Sequence, residues 1–535
     1  MTRRPGALEL IEANVDPGSW HSWDVPIAAG DRDPEYEKAL SQARERSSTD
    51  EAVVTGRARI GGHDVALVVS EFRFLGGSIG RDAAGRIVTA VRRATAERLP
   101  LIAAPASGGT RMQEGTPAFV MMVDISRAVV EHKAAGLPYL VYLRHPTTGG
   151  VFASWGSLGH VTVAEPGALI GFLGPSVYEA LNGHPFPDGV QVAENLVAKG
   201  IIDAVVPCDR LAGVASKALA LLAGPPARPA SATRAWVPDT AVVTLPGDPW
   251  DSIRLSRHPD RPGVRELLRI GAGEAVALSG TGAGELGQGM LCALASFQGV
   301  ACVVIGQDRR AQARGGPLDH DDLRAARRGI HLARQLGRPL VCVVDTPGAE
   351  LSAEAEERAL AGEIARCLAD LVQLTVPSVS VLLGEGCGGG ALALLPCRAR
   401  IAAEHAWLSP LPPEGASVIL HGHTRLAADM ARRQRVGSHE LLADGVVQAV
   451  VPEPVPAHEN PEDFCRRVSA AIGAQLLQQL AAYRSGQATA FGVGAACPGG
   501  PDPAPARARP REFPDGPISY GPVTGSGGRR SCAAP

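Results

Sequence analysis

Apolar positions along the chain fall into short unbroken runs, several of them leading into glycine-containing turns, that alternate with stretches of helical spacing. Residues 1–50 are mixed polar, with a helical tendency around Tyr36–Arg46. Ala52–Ile60 and His63–Val69 read as strands, and Glu71–Gly80 as a glycine turn. The amphipathic segment that follows, to about Ala96, sets Val88, Val91 and Ala94 on one helical face. Leu101–Ala106, bounded by Pro100 and Ser107-Gly108-Gly109, reads as a buried strand. Helical periodicity from Thr116 to Ala135 stops at Gly136-Leu137-Pro138, and Pro138–Leu143 is the next strand, ending at Thr148-Gly149-Gly150. Ala168–Phe172 is strand-like, Gln191–Lys199 helical, and Gly200–Pro207 a closing strand. This order predicts an α/β fold of parallel βαβ units.

Between Ala223 and Asp248 the composition shifts to Pro, Ala, Thr and Arg with little periodicity, the mark of a linker. The pattern then repeats. Pro339–Val344 is a strand running into Asp345-Thr346-Pro347-Gly348-Ala349. A helix is expected from Ala353 to Gln373, with Ala361, Ile364, Ala365, Leu368 and Leu371 on its apolar stripe. Val376–Leu383 is a strand ending in the glycine stretch Gly384–Ala391. Gly109 and Gly150 lie 41 residues apart, Gly348 and Gly390 lie 42 apart, and the closing strand recurs as Gly445–Pro452. The chain is therefore expected to be an internal duplication. Its segments are 1–222, a linker over 223–248, 249–490, and a disordered tail from 491 to 535 rich in Pro, Gly, Ala and Arg.

In each half, two glycine turns follow two strands expected to be neighbours in a parallel sheet, so their backbone N–H groups converge at the carboxyl ends of the strands. Such a turn is either an anion cradle at a helix N-terminus or a tight strand-to-helix corner that needs glycine for packing. As a cradle, each pair of donors is an oxyanion hole, and two halves give two holes, suited to two carbonyl-bearing reactants. Side-chain chemistry is sparse. There is no G-x-S-x-G elbow, no H-E-x-x-H and no glycine followed by lysine, which excludes the P-loop. Ser107 reads as structural, His145 and His160 are isolated, and Glu385 is either a solvated acid or an acceptor that fixes its turn.

Composition adds limits rather than functions. A 535-residue chain is too long for one core, and a net charge of −3 gives no reason to expect nucleic acid or an acidic membrane surface. Only four lysines occur among 52 basic residues. No apolar leader and no uninterrupted 18-residue apolar run are present, so neither a signal peptide nor a membrane span is expected. The ten cysteines form no CxxC and sit mostly in apolar runs, as expected of reduced thiols in the cytoplasm, and no metal site is expected.

Taken together, these residues resemble the carboxyltransferase component of biotin-dependent acyl-CoA carboxylases, over roughly residues 50–480. Ala106–Gly115, Pro146–Val151 and Ala164–Phe172 are similar to the β subunit of the bacterial acetyl-CoA enzyme. Trp250–Pro259, Asp345–Ala349, Gly384–Ala391 and Pro413–Leu420 are similar to its α subunit. The resemblance implies a β–α fusion of two tandem crotonase-like domains, moving a carboxyl group from carboxybiotin to the α-carbon of acyl-CoA, acetyl-CoA in the first instance. It implies that Gly149 and Gly150 hold the thioester enolate oxygen and that Gly390 and Ala391 hold the ureido oxygen of biotin. Ser107, Gly108, Gly109, Arg111, Gly348, Ala349, Gly388 and Gly389 would line the substrates. Biotin, whose ureido anion would take the α-proton, arrives on another chain, because no methionine precedes a lysine. The implied partners are a biotin carboxyl carrier protein, biotin carboxylase and a second copy of the chain.

Three departures stand against the resemblance. The four-cysteine zinc ribbon of the β subunit is missing, Glu350-Leu351-Ser352 replaces the usual aromatic-Pro-Gly, and the arginine-rich Gln307–Asp319 is shorter than its lysine-rich counterpart. Alternatives are a malonate decarboxylase-like component that runs the same holes in reverse and a non-catalytic scaffold for a carboxylase.

Overall fold

The computed structural model describes residues 4–27, 32–172, 179, 184–223 and 247–484. All but the ends of the expected linker, and the expected tail, lie outside the described residues. The first half carries β1 (His21–Ser22), β2 (Val53–Ile60), β3 (His63–Ser70), β4 (Leu101–Ala104), β5 (Tyr139–Leu143), β6 (Thr147–Thr148), β7 (Val161–Ala164), β8 (Ile170–Gly171) and β9 (Ala204–Val205). The second carries β10 (Ala275–Leu278), β11 (Met290–Phe297), β12 (Val300–Gln307), β13 (Leu340–Thr346), β14 (Ser378–Cys387), β15 (Ala399–Ala403), β16 (Trp407–Ser409) and β17 (Ala449–Val451).

The two main sheets have the same topology strand for strand. The order β1-β2-β3-β4-β5-β7-β9 in one is matched by β10-β11-β12-β13-β14-β15-β17 in the other. Each opens with an antiparallel β-meander and continues with parallel neighbours only. The parallel strands are covered on both faces, which is why β5 and β13 read as continuous apolar runs and are buried along their whole length. Helices Arg81–Ala96 and His320–Leu336 occupy corresponding crossovers. The first buries Ala83, Ala84, Ile87, Val88, Val91 and Ala94 at helical spacing. The second starts at a capping box between Asp319 and Asp322 and stops at Gly337 in the left-handed conformation. The helix Leu211–Leu222 packs against β2 and β3 as well as β11 and β12, so one hydrophobic core runs through both halves.

Four expectations need correction. The strand placed at Gly200–Pro207 is only β9, and the one at Ala168–Phe172 is only β8, which pairs with β6 off the main sheet; the unexpected β7 takes the sheet position. The helix placed at Ala353–Gln373 breaks at Ala359, whose φ is +60°, into Ala353–Glu357 and Leu360–Val372. Its buried face is Leu360, Glu363, Cys367 and Leu371, while Ala361 and Ala365 are exposed. Glu363 goes inward because Arg324 and Arg327 from the neighbouring helix meet its carboxylate at 3.0 and 3.2 Å, a pairing that apolar periodicity does not register. Finally, Gly384–Cys387 is not part of a turn: β14 continues through it and pairs with β16.

Candidate active site

At the carboxyl ends of β4 and β5, and again of β13 and β14, two turns meet. In the first turn of each pair a hydroxyl folds the backbone on itself. Gly109 N–H donates to Ser107 Oγ at 3.0 Å, and Gly348 N–H donates to Thr346 Oγ1 at 3.1 Å. Both glycines have positive φ, +112° and +140°. The second turn opens a short helix, Gly149–Phe152 or Gly388–Leu392, whose first glycine has φ +61° in both cases. Only glycine adopts that backbone without strain. Register therefore equates Gly149 with Gly388, Gly150 with Gly389 and Val151 with Gly390. The spacing of Gly109 to Gly149 and of Gly348 to Gly388 is then 40 residues in both halves, where the sequence alone had paired Gly150 with Gly390.

The turns touch. A Cβ built on Gly149 would lie 3.5 Å from Gly109 Cα, and one on Gly390 would lie 3.3 Å from Ala349 N and 3.2 Å from Leu318 Cδ1. Gly389 leaves room for Ile364, whose Cδ1 would be 2.8 Å from an added Cβ. Gly149 thus serves the conformation of the turn, and Gly389 and Gly390 the close approach.

Which N–H groups remain open follows from the hydrogen bonds. Those of Ser107, Gly108 and Gly109 are consumed by Pro146 O, Gly76 O and Ser107 Oγ. Gly149 N–H donates to Phe172 O at 3.1 Å, so of the expected pair Gly150 carries the free donor. The first N–H groups of a helix have no acceptor within it, and Gly150, Val151, Gly389 and Gly390 find none elsewhere among the described residues. The same holds for Thr110 and Ala349, each next to the first turn of its pair. Thr110 was not singled out from the sequence; its Oγ1 lies 3.5 Å from where a Gly150 Cβ would stand. Ala391, fully buried, follows as the fourth residue of its helix.

Arg111, expected to line the substrates, is turned inward. Its side chain is 1% exposed, and its guanidinium is spent on the Glu51 carboxylate, Ser78 O (2.8 Å) and Tyr36 Oη (3.3 Å). It clamps the first turn to the N-terminal segment. Glu385 is neither solvated nor an acceptor for its own turn. Arg257 holds it at 2.9 Å, reaches Glu414 at 2.6 Å, and lies over the buried ring of Trp407. One arginine thereby joins three stretches that stood apart in sequence.

Beneath the second pair of turns is a buried polar cluster absent from the sequence reading. Asp345 accepts Glu385 N–H at 3.1 Å and faces Arg309 at 3.5 Å; burial pushes its carboxyl up to about 6. Gln307 and Gln312 tie the end of β13 to its surroundings. The available signal was slight: a polar residue ending each of two apolar strands. Burial raises the Cys387 thiol to about 11, which keeps it protonated near neutral pH. His160 and His145 each use Nδ1 to accept a backbone N–H, from Tyr139 and Leu169. Among the described residues no group of three or more His, Cys, Asp or Glu is placed to hold a metal. Both sites therefore offer uncharged backbone donors, while Arg111, Arg257, Glu385 and Asp345 around them are engaged in ion pairs.

The carboxyl transferase domain family matches residues 6–485. The chain is 55% identical over 470 residues to a protein named Probable biotin-dependent acyl-coenzyme A carboxylase beta3 subunit from Mycobacterium tuberculosis, covering 88% of this chain and 93% of the relative. It is 38% identical over 489 residues to the acetyl-coenzyme A carboxylase carboxyl transferase subunits beta/alpha of Salinispora arenicola, covering 87% and 86%. Among solved structures it is similar to the transcarboxylase 12S hexamer, with a TM-score of 0.72 at 20% identity over 93% of this chain and 92% of that one. It is also similar to a single-chain, multi-domain long-chain acyl-CoA carboxylase, with a TM-score of 0.65 at 19% identity, over 88% of this chain but 46% of that one. At such identities the structures speak for the fold alone: tandem crotonase-like domains.

Proposed function

The chain belongs to the carboxyl transferase family, and from that premise we propose that it moves the carboxyl group of carboxybiotin, borne by a separate carrier protein, to the α-carbon of an acyl-CoA. Acetyl-CoA, giving malonyl-CoA, is the first substrate to test. The observation that carries this reading is the matching pair of glycine turns in each half, whose Gly150, Val151 and Thr110 N–H groups and Gly389, Gly390 and Ala349 N–H groups find no acceptor among the described residues. The names of the relatives support an acyl-CoA as the acceptor.

The second pair of turns suits the ureido group of biotin: it offers neutral backbone donors, and a Cβ on residue 390 would crowd Ala349 N and Leu318. When bound, carboxybiotin supplies a transferable carboxyl group and, at the ureido nitrogen, a base for the α-proton. The chain's own contribution is to hold and orient. Gly150 N–H, with Thr110 N–H beside it, donates to the thioester oxygen as negative charge develops there. Gly390 and Ala391, with Gly389, donate to the ureido oxygen. One such donor is worth about 3–4 kcal/mol at the transition state. Asp345 is fully enclosed and Cys387 stays a thiol at neutral pH, so neither competes for the α-proton.

Biotin carboxylase and the carrier are the proposed partners, and a second copy of the chain is a third. Met112, Phe119, Val120, Val123 and Phe172 are exposed around the first site, and Leu351, Leu392 and Ile419 around the second. Apolar surface of this kind beside each gap suits burial of the first half of one protomer against the second half of another. No helix among the described residues is long and apolar enough to cross a membrane, and the described cysteines are free; we place the protein in the cytoplasm.

Purified chain incubated with malonyl-CoA and free biotin is expected to release CO₂ in a biotin-dependent manner, and Gly390→Val to abolish it. No biotin-dependent decarboxylation by the native chain would overturn the reading.

A further inference from the structure

We propose that Gln307 is a positioning residue for the second site, acting through the peptide unit that joins Gly390 to Ala391; this rests on the reading of that site as the holder of the ureido oxygen. Gln307 ends β12 with its side chain completely buried. Its amide spans the two turns of the pair. Nε2 donates to Gly390 O at 2.7 Å, and Oε1 accepts Asp345 N–H at 2.9 Å. A buried primary amide satisfied at both ends is a rigid strut, because either bond lost leaves a polar group unpaired in the interior.

The bond to Gly390 O has a directional consequence. The carbonyl of Gly390 and the N–H of Ala391 are opposite ends of one planar peptide group. Fixing the carbonyl fixes the direction in which that N–H points, and donation to the oxygen polarises the N–H at the far end. The helix yields this carbonyl to Gln307: Leu394 N–H donates to Ala391 O at 3.2 Å, a tightened last turn, rather than to Gly390 O. On its other side Gln307 grips β13 at Asp345, three residues before Gly348 and four before Ala349, whose nitrogen faces Gly390. The strut thus sets the width of the gap in which the oxygen sits.

Among the described residues the first half has no such device. Register places Ser70, the last residue of β3, where Gln307 stands. Its hydroxyl is buried and finds no partner among the described residues. The strut belongs to one hole, which implies that the two holes are tuned separately.

The test uses full-length chain assayed for biotin-dependent decarboxylation of malonyl-CoA. Two variants are compared, Gln307→Met, which keeps volume and loses both bonds, and Gln307→Asn, which keeps the amide but is one methylene too short to span. Misplacement on the ångström scale costs about a hundredfold in rate, so kcat is expected to fall about 10- to 100-fold in Gln307→Met and less in Gln307→Asn. Malonyl-CoA affinity, measured by calorimetry without biotin, is expected to stay within twofold. Unchanged kcat in both variants would overturn the proposal, as would a parallel loss of malonyl-CoA affinity, which marks a general structural role. If Gln307→Met does not fold, Gln307→Asn decides on the same two readouts. An inactive native chain would instead sink the functional reading itself.

Discussion

The two halves build the same pair of turns and brace them by opposite means. In the first half the brace comes from outside the sheet. Arg111 reaches from the turn to Glu51 and Tyr36 in the N-terminal segment, while Ala106 and Ser70 beneath it make no side-chain bridge. In the second half the residue in register with Arg111 is Glu350, half-buried and bonded to Ser352 at 2.8 Å. The brace there comes from beneath, through Gln307, Asp345 and Gln312. Backbone geometry was kept through the duplication and its support was replaced, so the conformation of the turn, rather than any one side chain, is what the two halves share.

The comparison breaks most severely where the external brace is a buried ion pair. Arg111→Met leaves Glu51 buried and unpaired, and removing one partner of such a pair costs about 3–5 kcal/mol. Glu350→Ala, at the matching position, is expected to cost under about 1 kcal/mol, as surface changes do. Chemical denaturation of the two variants measures the difference, and equal losses would show that the braces are not distributed as described.

Next in size is the effect on catalysis of a single methyl group. On Gly390 it would stand against Ala349 N and Leu318, whereas on Gly150 it would make ordinary contacts with Thr110 and Met122 at 3.5 and 3.7 Å. Gly390→Ala is expected to lower kcat by about 10²–10³, the scale of one lost oxyanion donor. Gly150→Ala should cost less than about tenfold. A similar loss in both would mean the two gaps are equally tight.

How far this was legible in the sequence follows from the same residues. Strand runs, glycine turns and the duplication were readable because they rest on local backbone demands and on burial along continuous runs. What escaped depends on partners distant in the chain. The inward Glu363 is explained only by Arg324 and Arg327. The orientation of Arg111 is explained by distant partners, above all Glu51, sixty residues away. The extension of β14 through Gly384–Cys387 is explained by pairing with β16, which overrides the turn propensity of glycine. The use of Gly149 N–H by Phe172 O is invisible to any motif, and so is the openness of Thr110 N–H.

Opposite pH responses sharpen the comparison further. In the first half burial holds His132 down at about 4 and His160 at about 3. The unfolded chain takes up these protons below its value of 6.5 while the fold does not, so stability is lost as pH falls from 6.5 toward 4. In the second half burial raises Asp345 to about 6 and Asp322 to about 7 from 3.8. There the fold retains protons that the unfolded chain has shed, so stability is lost as pH rises from 3.8 to about 7. Each group carries on the order of 3–5 kcal/mol. Hydrogen exchange, corrected for intrinsic rates, is expected to show β4 and β5 opening more readily at pH 5 than at pH 7.5, and β13 and β14 less readily. A shift of the same sign in both sheets would contradict this.

The smallest expected effect is the most discriminating for the strut. Ser70 holds in the first half the place of Gln307 in the second, and its buried hydroxyl lacks a partner among the described residues. Burying an unpaired hydroxyl costs about 1–3 kcal/mol, so Ser70→Ala removes a liability at the expense of one small void. The net change is expected to lie within about 1 kcal/mol of zero, with kcat unaltered. Denaturation midpoints and the decarboxylation assay read both quantities. A marked loss of kcat in Ser70→Ala would mean that the first hole also depends on the end of its third strand, and the division of labour between the halves would have to be redrawn.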